Sequence, residues 1–202
     1  SLFRNNGDGT FSNVTKMAGV ADPVGTHAVI FEDFDNDGYL DIYAAGGSYI
    51  PKKHAYCMNK DHPDILYRNN GNGTFTDISK SAGIEFNVPL TTSLATADFD
   101  NDGDMDLFLS NSAYRDPRLT KNVLLRNNTN DKHWIHFKLI GRKSNKFGIG
   151  ARVKLISGDL IQIREVSGGH GFGSQNSLPV EFGLGERDRV DQAIICWPSG
   201  IV

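Results

Sequence analysis

The chain has 202 residues, 39% of them hydrophobic and 22% charged, with a formal charge of −3. These are ordinary values for a soluble globular protein of one or two domains that is long enough to bury a core. The acidic balance and the lack of a basic stripe argue against a nucleic-acid partner, and the apolar runs fall short of the roughly 20 residues that a spanning helix needs.

Taken in order, the chain repeats itself. Leu2-Phe3-Arg4-Asn5-Asn6-Gly7-Asp8-Gly9-Thr10-Phe11 returns as Leu66-Tyr67-Arg68-Asn69-Asn70-Gly71-Asn72-Gly73-Thr74-Phe75, a unit of roughly 64 residues. Each copy reads as a hairpin, with Asn, Asp and Gly supplying the positive φ that tight turns require. No signal peptide precedes it; Ser1-Leu2-Phe3-Arg4 already reads as a strand entering a turn, as in a mature or excised piece. Next come Asn13–Val20 and Asp77–Ile84, each with a polar start and a Gly near its end, which read as one helical turn. Apolar-rich strands follow at His27–Phe31 and Ser93–Ala97.

Those strands lead into two near-identical loops, Asp33-Phe34-Asp35-Asn36-Asp37-Gly38-Tyr39-Leu40-Asp41 and Asp98-Phe99-Asp100-Asn101-Asp102-Gly103-Asp104-Met105-Asp106. Two carboxylates about 5 Å apart at an effective dielectric of 20 repel by roughly 3 kcal/mol, so such a loop calls for a cation. The pattern Asp-x-Asp-x-Asp-Gly-x-x-Asp offers side-chain oxygens at its first, third, fifth and ninth positions, a carbonyl at the seventh and a glycine for the turn. That set suits Ca²⁺ better than Mg²⁺. The expected ligands are Asp33, Asp35, Asp37, the Tyr39 carbonyl and Asp41 at one site. Asp98, Asp100, Asp102, the Asp104 carbonyl and Asp106 form the other. An EF-hand would end in a bidentate Glu between helices, whereas here the corresponding positions are Ala44 and Leu109 and the flanks read as strands. The bland alternative is a pair of polar turns, but a turn needs one or two such residues and not a repeated set. Two bound Ca²⁺ would move the net charge to about +1.

Between the copies, Tyr49–Pro63 reads as an inserted surface loop. Its His54, Cys57 and His62 could attract a transition metal, but standard zinc spacing is missing. Two cysteines, Cys57 and Cys196, are too few for a disulfide framework, although one bridge is open to them. A third repeat starts at Leu124-Leu125-Arg126-Asn127-Asn128 and breaks at Thr129-Asn130-Asp131-Lys132, which puts a domain boundary near residue 130, with repeat units at about 1–65 and 66–130. Beyond it the strands lengthen. Trp134–Ile140 alternates with Ile135, Phe137 and Leu139 on one face. Ala151–Leu155 and Leu160–Val166 form a hairpin through Ser157-Gly158-Asp159, and Val180–Phe182 and Ala193–Trp197 add further strands. Cys196 takes a core place in that alternation. The expectation is an all-β protein: two blades and a partial third over 1–130, then a β-sandwich-like domain over 131–202.

Residues 1–128 resemble the FG-GAP/VCBS repeats of integrin-α-type propellers, through Arg-Asn-Asn-Gly-x-Gly-Thr-Phe and the acidic loops. Residues 133–200 resemble the ASPIC/UnbV domain, through Gly148-Ile149-Gly150-Ala151-Arg152-Val153, Arg164-Glu165-Val166, Gly171-Phe172-Gly173-Ser174-Gln175, Phe182-Gly183-Leu184-Gly185 and Trp197-Pro198-Ser199-Gly200. The order of the two is similar to that of the cartilage acidic protein family and its bacterial relatives. The resemblance implies calcium in the blade loops at the positions named above, a secreted location and no established catalysis. Such propellers usually close with about seven blades, and this chain holds fewer.

The expected function is therefore an extracellular or periplasmic calcium-binding structural or adhesion module, with a protein, matrix or cell-surface partner. Weak calcium sites of this kind suit millimolar extracellular Ca²⁺. The alternative is a self-assembling subunit whose bare edges, Leu2–Asn5 and Val123–Asn127, are shared head to tail into a filament. A third reading makes Glu165, His170 and Ser174 of the Gly-rich 165–176 loop a hydrolytic trio, but no nucleophile elbow surrounds Ser174, and a contact loop is the better account. Asn13, Asn72 and Asn127 fit the N-glycosylation triplet, a common pattern that discriminates little.

Overall fold

The computed structural model describes residues 1–21, 26–46, 48–50, 55–57, 63–84, 91–111, 121–129, 131–171 and 173–202, and no helix occurs among them. The strands in chain order are β1 (Phe3–Asn5), β2 (Phe11–Asn13), β3 (Thr26–Glu32), β4 (Asp41–Gly46), β5 (Ser48–Ile50), β6 (Ala55–Cys57), β7 (Ile65–Asn69) and β8 (Phe75–Asp77). They continue with β9 (Thr91–Ala97), β10 (Asp106–Asn111), β11 (Val123–Leu125), β12 (His133–Phe137), β13 (Arg152–Ser157), β14 (Leu160–Glu165), β15 (Val180–Gly185) and β16 (Gln192–Cys196). Two compact units result, one made of Ser1–Phe31, Leu40–Thr92 and Ser110–Asn122, the other of Glu32–Tyr39, Ser93–Leu109 and Val123–Val202.

In the first unit, β1 and β2 form the first hairpin, with Phe3 opposite Asn13. Positive φ falls on Gly7 and Gly9 alone. The neighbouring Asn5 and Asp8 act instead as side-chain acceptors, for the Gly7 amide at 2.8 Å and the Thr10 amide at 2.9 Å. The second hairpin repeats both bonds, from Gly71 to Asn69 and from Thr74 to Asn72, each at 3.0 Å. The segment after each hairpin makes a single turn: Ala18 N–H donates to the Val14 carbonyl, and Ala82 N–H to the Ile78 carbonyl. Gly19 and Gly83 end these turns in the left-handed region, the glycine stop that lets the last carbonyls find donors.

β3, β4, β7 and β8 form a four-stranded blade in that order, with Ile42 opposite Tyr67 and Ala44 opposite Ile65. Ile42, Ala44 and Tyr67 make a small core against which Leu2, Val20, Ile65 and Phe75 pack. The stretch read as an inserted surface loop holds a short ladder, β5 with β6; His54 and His62 lie outside the described residues. A buried polar knot also sits in this unit. Asp64 accepts from the Tyr43 hydroxyl at 2.7 Å and the Gly46 amide at 2.8 Å, and Thr91 donates to Asn111 at 2.9 Å.

The second unit contains β11 and most of β9 and β10, joined in the order β11-β10-β9. The strand after residue 122, read above as an open edge, is therefore paired on one side, with Leu124 opposite Phe108. Its remaining strands make two further sheets, β12-β15 and β14-β13-β16. Both feed one core: Val153 and Leu155 from β13 and Val180, Phe182 and Leu184 from β15, with Ile135, Phe137 and Ile195 packed against them. Cys196 does not join that core. Alternation turns Ile195 and Trp197 inward, so the residue between them faces out, and Cys196 is an exposed free thiol.

Candidate metal centre

Both acidic loops run from strand to strand, the first from β3 to β4 and the second from β9 to β10. Their curl has one cause. The first aspartate caps two successive amides four and five residues ahead: Asp33 takes Asp37 N–H at 3.1 Å and Gly38 N–H at 2.9 Å. Asp98 takes those of Asp102 and Gly103, both at 3.0 Å. The backbone reaches this curl through left-handed Asn36 and Asn101, at φ 53° and 61°, a region that asparagine tolerates better than most residues.

In the first loop Asp33, Asp35 and Asp37 bring carboxylate oxygens within 4.8 Å of one another; in the second Asp98, Asp100 and Asp106 do so. Asp102 turns its carboxylate to the Asp104 amide at 3.0 Å, as Asp37 does to Tyr39 at 2.8 Å. At the seventh positions the Tyr39 ring is exposed, and the buried Asp104 carboxylate accepts from the Asn36 amide at 2.9 Å. The ninth positions are anchors: Asp106 takes the Phe99 amide at 3.0 Å and the Asn127 amide at 2.8 Å. Asp41, which belongs to the first unit, takes the Asn69 amide at 2.7 Å.

The donor set fits a hard cation. At the third position of each loop, Oδ1 of Asp35 and both carboxylate oxygens of Asp100 are buried without a hydrogen-bond partner among the described residues. An orphaned carboxylate oxygen inside a cluster of its own charge is costly, and oxygen-only ligation is what Ca²⁺ takes. Each Oδ2 has a cation beside it: Lys132 Nζ lies 3.5 Å from Asp35 Oδ2, and Arg126 Nε lies 2.8 Å from Asp100 Oδ2.

The surrounding field is acidic, and much of it is buried. Burial, with the Asp37 charge beside it, pushes the Asp33 carboxyl up to about 7. Burial also raises Glu32 and Asp106, and it lifts Glu181 to about 8. The Arg164 guanidinium offsets part of this charge for Glu32 and Asp33 and sits 5.4 Å from the Phe182 ring centre. His136 Nδ1 lies 3.8 Å from Asp98 Oδ2; burial depresses its pKa and the aspartate opposes that.

Two family models match the chain: an FG-GAP-like repeat model over residues 1–44 and 55–109, and an ASPIC and UnbV model over residues 141–202. The chain carries FG-GAP-like repeats and an ASPIC and UnbV domain. FG-GAP-like repeats are blades of a β-propeller, in keeping with the four-stranded sheet described above. Cartilage acidic protein 1 of Homo sapiens is 35% identical over 116 residues, which is 56% of this chain and 16% of that protein. Its namesake in Xenopus tropicalis is 37% identical over 119 residues, 57% of this chain and 16% of the other. The chain thus spans less than a fifth of the length of these relatives.

Several residues that shape the FG-GAP-like loops carry no metal-binding signature. Gly183, in the Phe-Gly-Leu-Gly stretch of the ASPIC and UnbV domain, donates its amide to Asp33 Oδ2 at 3.2 Å. A Cβ there would lie 2.4 Å from that oxygen, and one on Gly103 would lie 1.8 Å from Trp134 Cε2. The loop glycine therefore serves close packing as well as the turn. That Gly-rich motif was a signal, although not of what it touches. The trio Glu165, His170 and Ser174 does not form a relay: Ser174 donates its hydroxyl to the His170 carbonyl, and Glu165 accepts from Arg152 at 2.7 Å.

Proposed function

We propose that this chain is an extracellular, calcium-clamped structural or adhesion module that binds and does not catalyse, with the repeat region and the ASPIC and UnbV domain meeting near residue 130. The observation that carries the reading is the pair of three-carboxylate clusters within 4.8 Å, each with an orphaned buried oxygen at its third position. Asp33, Asp35, Asp37, the Tyr39 carbonyl and Asp41 would hold one ion; Asp98, Asp100, Asp102, the Asp104 carbonyl and Asp106 would hold the other. Calcium, when bound, supplies the charge that offsets each cluster. The chain's own part is to fix the curl through the first aspartate and to pin the ninth to the next Arg-Asn-Asn strand, so that the blade stays rigid enough to present a face to a protein or matrix partner. An extracellular setting is supported by relatives named for cartilage and by the millimolar calcium such sites require. No helix among the described residues is long and apolar enough to cross a membrane.

Thermal melts with millimolar calcium and with excess chelator test this. Wild type gains melting temperature with calcium, and Asp35→Ala and Asp100→Ala each lose part of that gain; identical curves with and without calcium would sink the clamp. A second reading, edge-sharing self-assembly, is favoured by the first hairpin. There Phe3 and Phe11 are 56% and 63% exposed, whereas Tyr67 at the place of Phe3 is 7% exposed. Light scattering decides it: large particles that dissolve on chelation support assembly, and a monomer in both conditions rules it out.

A further inference from the structure

The two acidic loops touch one another, and Asn127 bonds to both. From the first loop, the Asn36 side-chain amide donates to Asp104 Oδ1 at 2.9 Å and to the Gly103 carbonyl at 3.2 Å. The stretch after β11 reaches both loops at once. Asn127 gives its backbone N–H to Asp106 Oδ1 at 2.8 Å and its side-chain amide to the Phe34 carbonyl of the other loop at 2.7 Å. Arg126 sits on Asp100 and Asp102 at 2.8 and 3.3 Å, and Lys132 on Asp35 at 3.5 Å.

We propose that the loops fill as a coupled pair of cation sites, with Asn36 and Asn127 carrying the coupling; this rests on the calcium reading above. Each loop must order carboxylates that repel, and each borrows its order from the other. Asp35 and the backbone around Phe34 and Asn36 would be held in place by a cation bound in the first loop. The Phe34 carbonyl then holds Asn127, whose N–H holds Asp106, an acid of the second cluster. Asn36 at the same time immobilises Asp104, whose carbonyl is a candidate ligand there. Ordering that one site has already achieved need not be repeated at the second, which makes binding positively cooperative. The two cations have a positioning role. By taking one oxygen of the third-position aspartate, Arg126 and Lys132 leave the other oxygen directed at the cluster, as partners behind a metal ligand commonly do. Arg126 spans two carboxylates with its fork while Lys132 meets one as a point charge, so the sites are coupled without being equivalent.

The two loops have different aromatic neighbours. Trp134 packs on Gly103 of the second loop, and Tyr39 belongs to the first. Terbium, an oxygen-seeking stand-in for calcium, can therefore be titrated with tryptophan-sensitised emission reporting the second loop; Trp134→Phe serves as the control that abolishes this signal. Asp35→Asn, which damages only the first loop, is expected to weaken terbium at the second by about tenfold, inside the range of about 5- to 150-fold typical of coupled sites. Asn36→Gly keeps the left-handed backbone and removes only the bridging amide; in that background the Asp35→Asn effect should shrink to less than about threefold. If Asp35→Asn fails to fold, Asp100→Asn gives the reciprocal measurement. It must weaken the first loop by the same factor, read through Tyr39. A second-loop affinity unchanged by Asp35→Asn, in a protein whose wild type binds terbium and gives calorimetric heat with calcium, overturns the coupling and leaves the calcium reading standing. Wild type that shows neither signal overturns both.

Discussion

Asp64 and Asp100 are both acids held in protein, yet they are finished differently. Asp64 is 1% exposed, and both its oxygens meet donors, from the Tyr43 hydroxyl and the Gly46 amide. Asp100 has both oxygens buried without a hydrogen-bond partner among the described residues, with the Arg126 guanidinium 2.8 Å from one of them. Counting oxygens thus separates an aspartate whose hydrogen bonding the protein completes from one whose hydrogen bonding it leaves incomplete. Proximity of acids alone would not make that distinction, since burial and like charges raise carboxyl pKa values in either setting.

The largest test of this contrast is Asp64→Ala. It strands a buried tyrosine hydroxyl and a backbone amide, and it should cost about 3 to 4 kcal/mol in urea unfolding, by the same amount with calcium or chelator. A calcium-dependent loss would erase the distinction. Next in size is Gly103→Ala, which drives a methyl into Trp134 and forces alanine to a φ of 93°. A loss of about 2 to 3 kcal/mol is expected, together with a weaker second site. Gly183→Ala should cost about 2 kcal/mol and weaken the first site instead, since the methyl meets Asp33; calorimetric titration of both variants shows whether the damage is that selective. A further test concerns pH. Glu181 is raised to about 8, chiefly by burial, so its folded-state pKa exceeds its unfolded one. The stability it confers is fully present below the ordinary carboxylate range and is lost as pH rises through about 8. Glu181→Gln should therefore flatten the fall in melting temperature between about pH 5 and 9; a variant as pH-sensitive as wild type would show that other groups set the slope.

What the sequence made legible was local. The Asn-Gly hairpins, the glycine-stopped turns, the curl of each acidic loop and the alternation of β12 and β13 all depend on residues a few places apart, where turn chemistry and side-chain period act directly. What it hid was long-range. Asp64 is a single acid in Pro63-Asp64-Ile65 with no pattern around it, so its place in a buried polar knot emerges only when Tyr43 and Gly46 arrive. Asn36 reads as a turn residue, and its bridge to Asp104 exists because two distant loops meet. Cys196 shows the opposite error: an apolar neighbourhood suggested the core, and the phase of a single strand reversed it. The packing of β15 on Asp33 was not visible either, because glycine announces closeness without naming the neighbour.

The bond from the Gly183 amide to Asp33 Oδ2 spans 150 positions of the chain. During synthesis the first acidic loop would leave the ribosome long before the strand that completes it, so the loop cannot reach its final form cotranslationally until β15 has followed. Closing so long a segment is entropically slow, and folds dominated by distant pairings assemble in the millisecond-to-second range. Refolding from denaturant should accordingly show the Trp134 environment maturing late, after the Asn-Gly hairpins have formed.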